Sequence, residues 1–359
     1  MPIKRIVVVL LLFFSAIVAA IAAEDNQTVR AGSELPPLPE PVTNNALASL
    51  KVDGREFLVS FAGLGAGKTW RDTHAKTFVL DSESDRWRNA GTVPGGVGRL
   101  AAIAVGIRDR IYVFGGYTVA EDGEEASTPW VHAFDPLTGT FEERQAMPVP
   151  VEDTVAVSYQ DRYIYLVSGW HDLGNVNLVQ RYDIDEDSWV QATPTPGPAV
   201  FGHAGGIVGN TIVYCDGVAI TANTDRARDF AATNECYAGL IDHEDARRID
   251  WRKIRSHPGP ARYRMAAAGI PYIQSVVFIG GSDNPYNYNG MGYNQVPSSP
   301  VPGALSYDLD TGRWRTLAVA ATATMDHRGL AKFRDQWITA GGMLQRQFVT
   351  DRVFGYRIE

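Results

Sequence analysis

Cysteine is scarce in this chain. Its 359 residues hold two, Cys215 and Cys236, too few for a disulfide framework, so a hydrophobic core has to carry the fold. Excess positive charge is missing too: the formal charge of −8 argues against nucleic acid and anionic membrane surfaces as partners. The seven histidines show no paired spacing of the kind a metal site uses, and no serine nucleophile elbow is present, so neither a metal nor another cofactor is expected. Low-complexity stretches are absent. Long apolar runs are limited to one, Ile6 to Ile21, which follows Lys4 and Arg5 and ends at small residues near Ala20 to Ala23. That pattern is a secretory signal peptide over 1–23, and its core is short for a membrane span. Cleavage would leave a periplasmic or secreted chain, 24–359, outside the membrane, with its charge lowered to −10 by loss of the two cations.

What remains is turn-rich and globular, with 35 Gly, 20 Pro and 45% hydrophobic residues. One segment, "FAGLGAGKTW" from Phe61 to Trp70, fits the loose form of a phosphate-binding loop. Such a loop must open a helix, whereas the following "TFVLDSESDRW" reads as a strand and a turn. Nucleotide binding is therefore not expected, and the segment has a better explanation in an internal repeat.

Six β-rich runs end in glycine: "EFLVSFAG", "RIYVFGG", "YIYLVSG", "TIVYCDG", "SVVFIGG" and "QWITAGG". Before each lies a stretch of small residues. After each comes a variable loop, a strand such as "TFVLD" or "LSYD", a tight turn and, in five copies, an aromatic: Trp87, Phe141, Trp189, Trp251 and Trp314. Small side chains suit strands crowded around an axis, the glycine lets the chain leave the second strand without a Cβ clash, and the aromatic packs between sheets. These repeats resemble the kelch motif, which implies an all-β, six-bladed β-propeller as a single domain over 24–359. The sixth repeat lacks its fourth strand, and "RAGSELPPLPEP" near the mature start resembles the end of a blade. The N-terminus is therefore expected to supply that outer strand and close the ring.

In a propeller the loops into each first strand and those after each second strand share one face. Reading off both sets gives Arg99, Asp153, His203, Arg264 and Arg328, together with Trp70, Arg71, Tyr117, Trp170, His171, Asp283, Asn284, Tyr286 and Arg346. Guanidinium forks suit an anion, and Trp and Tyr suit sugar faces, so the combination points to an acidic saccharide. The alternative for each arginine is a structural pair with a neighbouring blade. The loop "SDNPYNYNGMGYNQVPSSPVPG", with Tyr286, Tyr288 and Tyr293, is dense in sugar-type contacts, and "VAITANTDRARDFAATNE" offers a flap. Cys215 and Cys236 flank that flap, and a disulfide is expected between them.

The first blade, through "LPPLPEP", "GLGAGKTW" and "RWRNAGTVPGG", is most similar to the bacterial periplasmic N-acetylneuraminate epimerases, which are sialic acid mutarotases. That resemblance implies acid and base groups beside an anomeric oxygen. The family's Glu position after the fourth glycine turn is Val218 here, with Asp216 nearest; its Arg position is Thr224, with Arg226 and Arg228 beyond. Three functions stay open. One is an enzyme on an acidic sugar such as a sialic acid, with Arg99, Arg264 and Arg328 holding the anion and His203, Asp153 or Tyr286 moving protons; mutarotation leads, with lyase or hydrolase chemistry as variants. A second is a propeller that only holds a saccharide or a protein partner. A copper radical oxidase is the third, and a Cys236 engaged with Cys215 argues against it.

Overall fold

The computed structural model describes residues 27–224, 227–319 and 322–359; the expected signal peptide and Arg226 lie outside them, and side chains over 222–228 are not described. Six four-stranded antiparallel sheets stand around a central channel. In chain order their innermost strands are Ala46–Val52, Ile103–Ile107, Val155–Tyr159, Ala204–Val208, Ala266–Ile270 and Ala331–Phe333. In blades one to five the chain runs outward strand by strand. The sixth takes its outer strand from Val29–Ala31, which pairs antiparallel with Val353–Ile358, so both ends of the described chain meet in one sheet.

Crowding at the axis explains the small residues of the inner strands. A Cβ on Gly269 would lie 1.8 Å from the Ile207 carbonyl oxygen of the neighbouring blade, a distance no side chain tolerates. On the outer strands the aromatics join blade to blade. The indole N–H groups of Trp189, Trp251 and Trp314 donate to the carbonyls of Gln145, Thr193 and Arg255, each the residue just past the preceding blade's outer strand. Trp87 does the same to Pro36 at 2.8 Å. Phe141, which has no such donor, packs on Phe134 with ring centres 4.7 Å apart. In blade six Ala31 stands opposite Tyr356, where blade five sets Trp314 opposite Tyr307.

A ring of backbone hydrogen bonds runs round the channel mouth. The residue two before each of the first five inner strands, and Asp326 in the sixth blade, adopts positive φ: Asn44, Ala101, Asp153, Gly202, Arg264 and Asp326. Asn and Asp bear this left-handed conformation best, while Ala101 and Arg264 adopt it against their own preference. Successive blades are tied by N–H donation from Ala101 to Asn44, Asp153 to Ala101, Gly202 to Asp153, Arg264 to Gly202 and His327 to Arg264, at 2.8 to 3.2 Å. At the last junction the Asn44 N–H donates instead to the Asp326 carboxylate, at 3.0 Å.

The stretch that resembled a phosphate loop is a turn closed on itself. After it come a short 3-10 turn, Trp70–Asp72, and a strand. Asp72 accepts from the Thr69 N–H and hydroxyl, and the Lys68 ammonium donates to the Gln347 carbonyl at 3.0 Å.

Cys215 and Cys236 form a disulfide between directly paired strand residues, with Cα atoms 4.1 Å apart, across the base of the flap. The bond spans 21 residues, and removing it with Cys215→Ala and Cys236→Ala is expected to lower unfolding free energy by about 3 kcal/mol, read by urea denaturation. An unchanged midpoint would show that the paired strands alone fix the flap's base.

Candidate functional site

Four charged side chains converge inside the ring, each almost fully buried. Arg264 donates through Nε to Asp153 Oδ2 at 3.1 Å and through one terminal nitrogen to Asp326 Oδ1 at 3.1 Å. Arg328 reaches the same two carboxylates, Asp153 Oδ1 at 2.7 Å and Asp326 Oδ1 at 3.1 Å, and Asn44 Oδ1 at 2.8 Å. Asp326 also accepts from the Thr43 hydroxyl and the Asn44 amide. Two cations and two anions cancel. Burial pushes the Asp326 carboxyl upward, but Arg328 and Arg264 outweigh it and hold it below its usual range. Burial opposes the Arg264 charge, yet Asp153 and its other anionic neighbours more than restore it, so the guanidinium stays protonated.

Beside this cluster a cavity of 310 Å³ opens on the same face, within the range of small-ligand sites. Arg264 and Asp153 form part of its wall. Blades two and three add Tyr117, Glu125, Glu152 and Trp170. The far side is aromatic, with Phe201, Phe230 from the flap, and Tyr288 and Tyr293 from the tyrosine-rich loop. Phe230 and Tyr293 stack with ring centres 4.5 Å apart, and Trp170 meets Phe201 at 5.2 Å. The central channel, with 370 Å³ of space, is walled mainly by the small residues of the inner strands.

Glu152 is the chemically distinctive group. Only 5% of it is exposed, and its Oε2 has no hydrogen-bond partner among the described residues. Burial is the main cause that pushes its carboxyl well above the usual range; Asp153, Glu125 and Asp172 add to this. The result is a carboxyl that holds its proton more tightly than an ordinary glutamic acid, in the wall of a space lined by rings.

Of the residues the sequence singled out, Asp153, Arg264, Tyr117 and Trp170 do meet at this cavity, and Arg328 joins the ion cluster. The anion clamp expected of the three arginines is corrected by their partners. Arg264 and Arg328 are matched by Asp153 and Asp326, whereas Arg99 is buried between the first two blades, donating to the Gly115 carbonyl at 3.1 Å with Trp130 against its face. Burial lowers its pKa to about 10. His203 is not a proton carrier at this cavity: its Nε2 bonds the Val167 carbonyl at 2.8 Å, and burial drops its pKa to about 4. Nor is Tyr286, a fully buried core ring packed on Tyr263 at 5.1 Å, with burial raising its hydroxyl well above the usual range. Trp70, Arg71, His171, Asp283, Asn284 and Arg346 lie outside the cavity wall. Trp70 packs under Arg71, which pairs with Glu121; His171 accepts from the Leu173 N–H; Asn284 donates to the Val296 carbonyl; Asp283 and Arg346 are exposed.

Glu125, Glu152 and Phe201 escaped the sequence reading. Glu152 and Phe201 immediately precede the left-handed residues and form a β-bridge with Trp170 and Val218, the residues that follow the glycine turns. Stepping back one residue from Asp153 finds Glu152.

These blades, with their glycine turns and interblade aromatics, define a six-bladed β-propeller. The kelch motif itself matches over residues 101–148. The chain is similar to N-acetylneuraminate epimerase of Salmonella typhi, 21% identical over 78% of this chain and 79% of that protein. It is also similar to Kelch-like protein 15 of Gallus gallus, 28% identical over 36% of this chain, and spans 26% of that relative's length. The solved structure of YjhT superposes with a TM-score of 0.69 at 17% identity, covering 91% of this chain and all of that one.

Truncating Arg264 to Ala leaves two buried carboxylates to share the one guanidinium of Arg328, so a buried negative charge goes unmatched and the variant is expected to lose about 3–5 kcal/mol in urea denaturation. Arg71→Ala, which breaks only the exposed pair with Glu121, should lose under about 1 kcal/mol. Equal losses would contradict the lock assigned to Arg264.

Proposed function

We propose that the cavity binds a saccharide and interconverts its anomers, with Glu152 as the acid. One observation carries this reading: a carboxyl in the wall of a ring-lined cavity is buried and has its pKa pushed well up by that burial. Aromatic faces suit the C–H faces of a sugar, and Asn287 and the carboxyls suit its hydroxyls. In ring opening the Glu152 proton passes to the ring oxygen while the bond from that oxygen to the anomeric carbon breaks. The anomeric hydroxyl forms the carbonyl and releases its proton to solvent at the open mouth. Reclosure on the other face of the carbonyl returns both protons.

N-acetylneuraminate is the first sugar to try, because of the similarity to its epimerases. Its carboxylate would meet guanidinium groups already matched by Asp153 and Asp326, so recognition rests on the rings and hydroxyl contacts more than on an arginine clamp. The disulfide favours work outside the cytoplasm.

Anomer exchange by NMR tests the reading, with N-acetylneuraminate, glucose and galactose as probes. Protein-accelerated exchange is expected, dropping about 10²-fold in Glu152→Gln and declining in wild type as pH rises through the raised Glu152 pKa. The raised pKa means the folded state binds the proton more tightly than the unfolded chain, so stability contributed by Glu152 is lost with rising pH. Gln at this position should therefore leave stability at pH 7 undiminished. Binding without exchange would define a propeller that only holds its sugar. Exchange unaffected by Glu152→Gln would remove Glu152 from the chemistry.

A further inference from the structure

The charges facing the cavity do not balance. Asp153 and Asp326 are matched by Arg264 and Arg328, which leaves the Glu125 carboxylate over, beside the Glu152 acid. Glu125 stands on the hairpin Tyr117–Val119 with Glu125–Ser127 and forms part of the cavity wall. Among the described residues it has no ion pair or hydrogen bond to a cation. Glu152 is 95% removed from solvent, with an oxygen unpartnered.

The same cavity presents electron-rich faces. Trp170, Tyr288 and Tyr293 line the same space, and such rings attract a cation through their quadrupoles. An unmatched Glu125 carboxylate and aromatic faces around one space are together complementary to an ammonium group.

From this juxtaposition we propose that the ligand of this cavity carries a free amine, its ammonium seated at the Glu125 carboxylate and against the aromatic wall. The proposal rests on the saccharide reading for the rest of the ligand, an amino sugar rather than an acidic one. The amine would occupy Glu125 and leave the Glu152 proton for the ring oxygen.

Calorimetric titration with glucosamine, N-acetylglucosamine, glucose, N-acetylneuraminate and choline separates the two ideas. Glucosamine is expected to bind about tenfold more tightly than glucose or N-acetylglucosamine, the size of one charge-assisted contact. Glu125→Gln, a conservative change on an exposed hairpin, should erase that preference, so that glucosamine and glucose bind the variant equally. Equal affinity for glucosamine and glucose, or preference for N-acetylneuraminate, would overturn the amine while the saccharide reading stands. Choline binding that Glu125→Gln abolishes, with no sugar bound, would keep the amine seat and remove the saccharide. A glucosamine preference that survives Glu125→Gln would also overturn the proposal, since the discriminating group would lie elsewhere.

Discussion

Two guanidinium groups and two carboxylates, all buried, hold the mouth of the propeller. Arg264 and Arg328 each bridge Asp153 of blade three to Asp326 of blade six, so blades three, five and six are joined across the channel. Asp326 also receives Thr43 and Asn44 of blade one. This contact replaces, with a carboxylate, the carbonyl that closes the backbone ring at the other junctions. Such a cluster adds little over a well-packed apolar core, yet breaking it by removing one member is costly. Its effect is to fix positions: the left-handed turn at Asp153 and its ion pairs hold the neighbouring Glu152 in one place.

The position of Glu152 follows from the same local geometry. The residue before each left-handed turn is bridged to the residue after a glycine turn, and in blade three this sets Glu152 beside Trp170. Phe201 repeats the arrangement in blade four, beside Val218. A single structural rule of the blade thus supplies an acid and an aromatic wall to one cavity. Loops then complete it, since Phe230 and Tyr293 come from the two longest insertions and stack on one another.

The blades were legible in the sequence because their constraints repeat. Glycine turns, small inner strands and Trp87, Trp189, Trp251 and Trp314 recur in register, and the indoles make the interblade bonds their spacing suggested. The mouth was harder to read, because its register is set by backbone φ, which leaves a signature only where Asn or Asp takes the left-handed conformation. Asp153, read off as the entry to its blade's first strand, is one such position. In blades two, four and six the residues at the mouth are Ala101, Gly202 and Asp326, while the more conspicuous Arg99, His203 and Arg328 sit one or two positions off. Charge misled for a related reason. An arginine is visible in sequence, whereas Asp153, which pairs with both Arg264 and Arg328, lies in another blade.

The most direct measurement is the titration of Glu152 itself, followed by the NMR signal of its side-chain carboxyl carbon in the folded protein, with Glu152→Gln used to assign it. A proton retained well above the ordinary 4.5 of a glutamic acid is what an acid poised for ring opening requires. A midpoint near that ordinary value would mean the group is an anion at neutral pH, and the chemistry assigned to this cavity would fall.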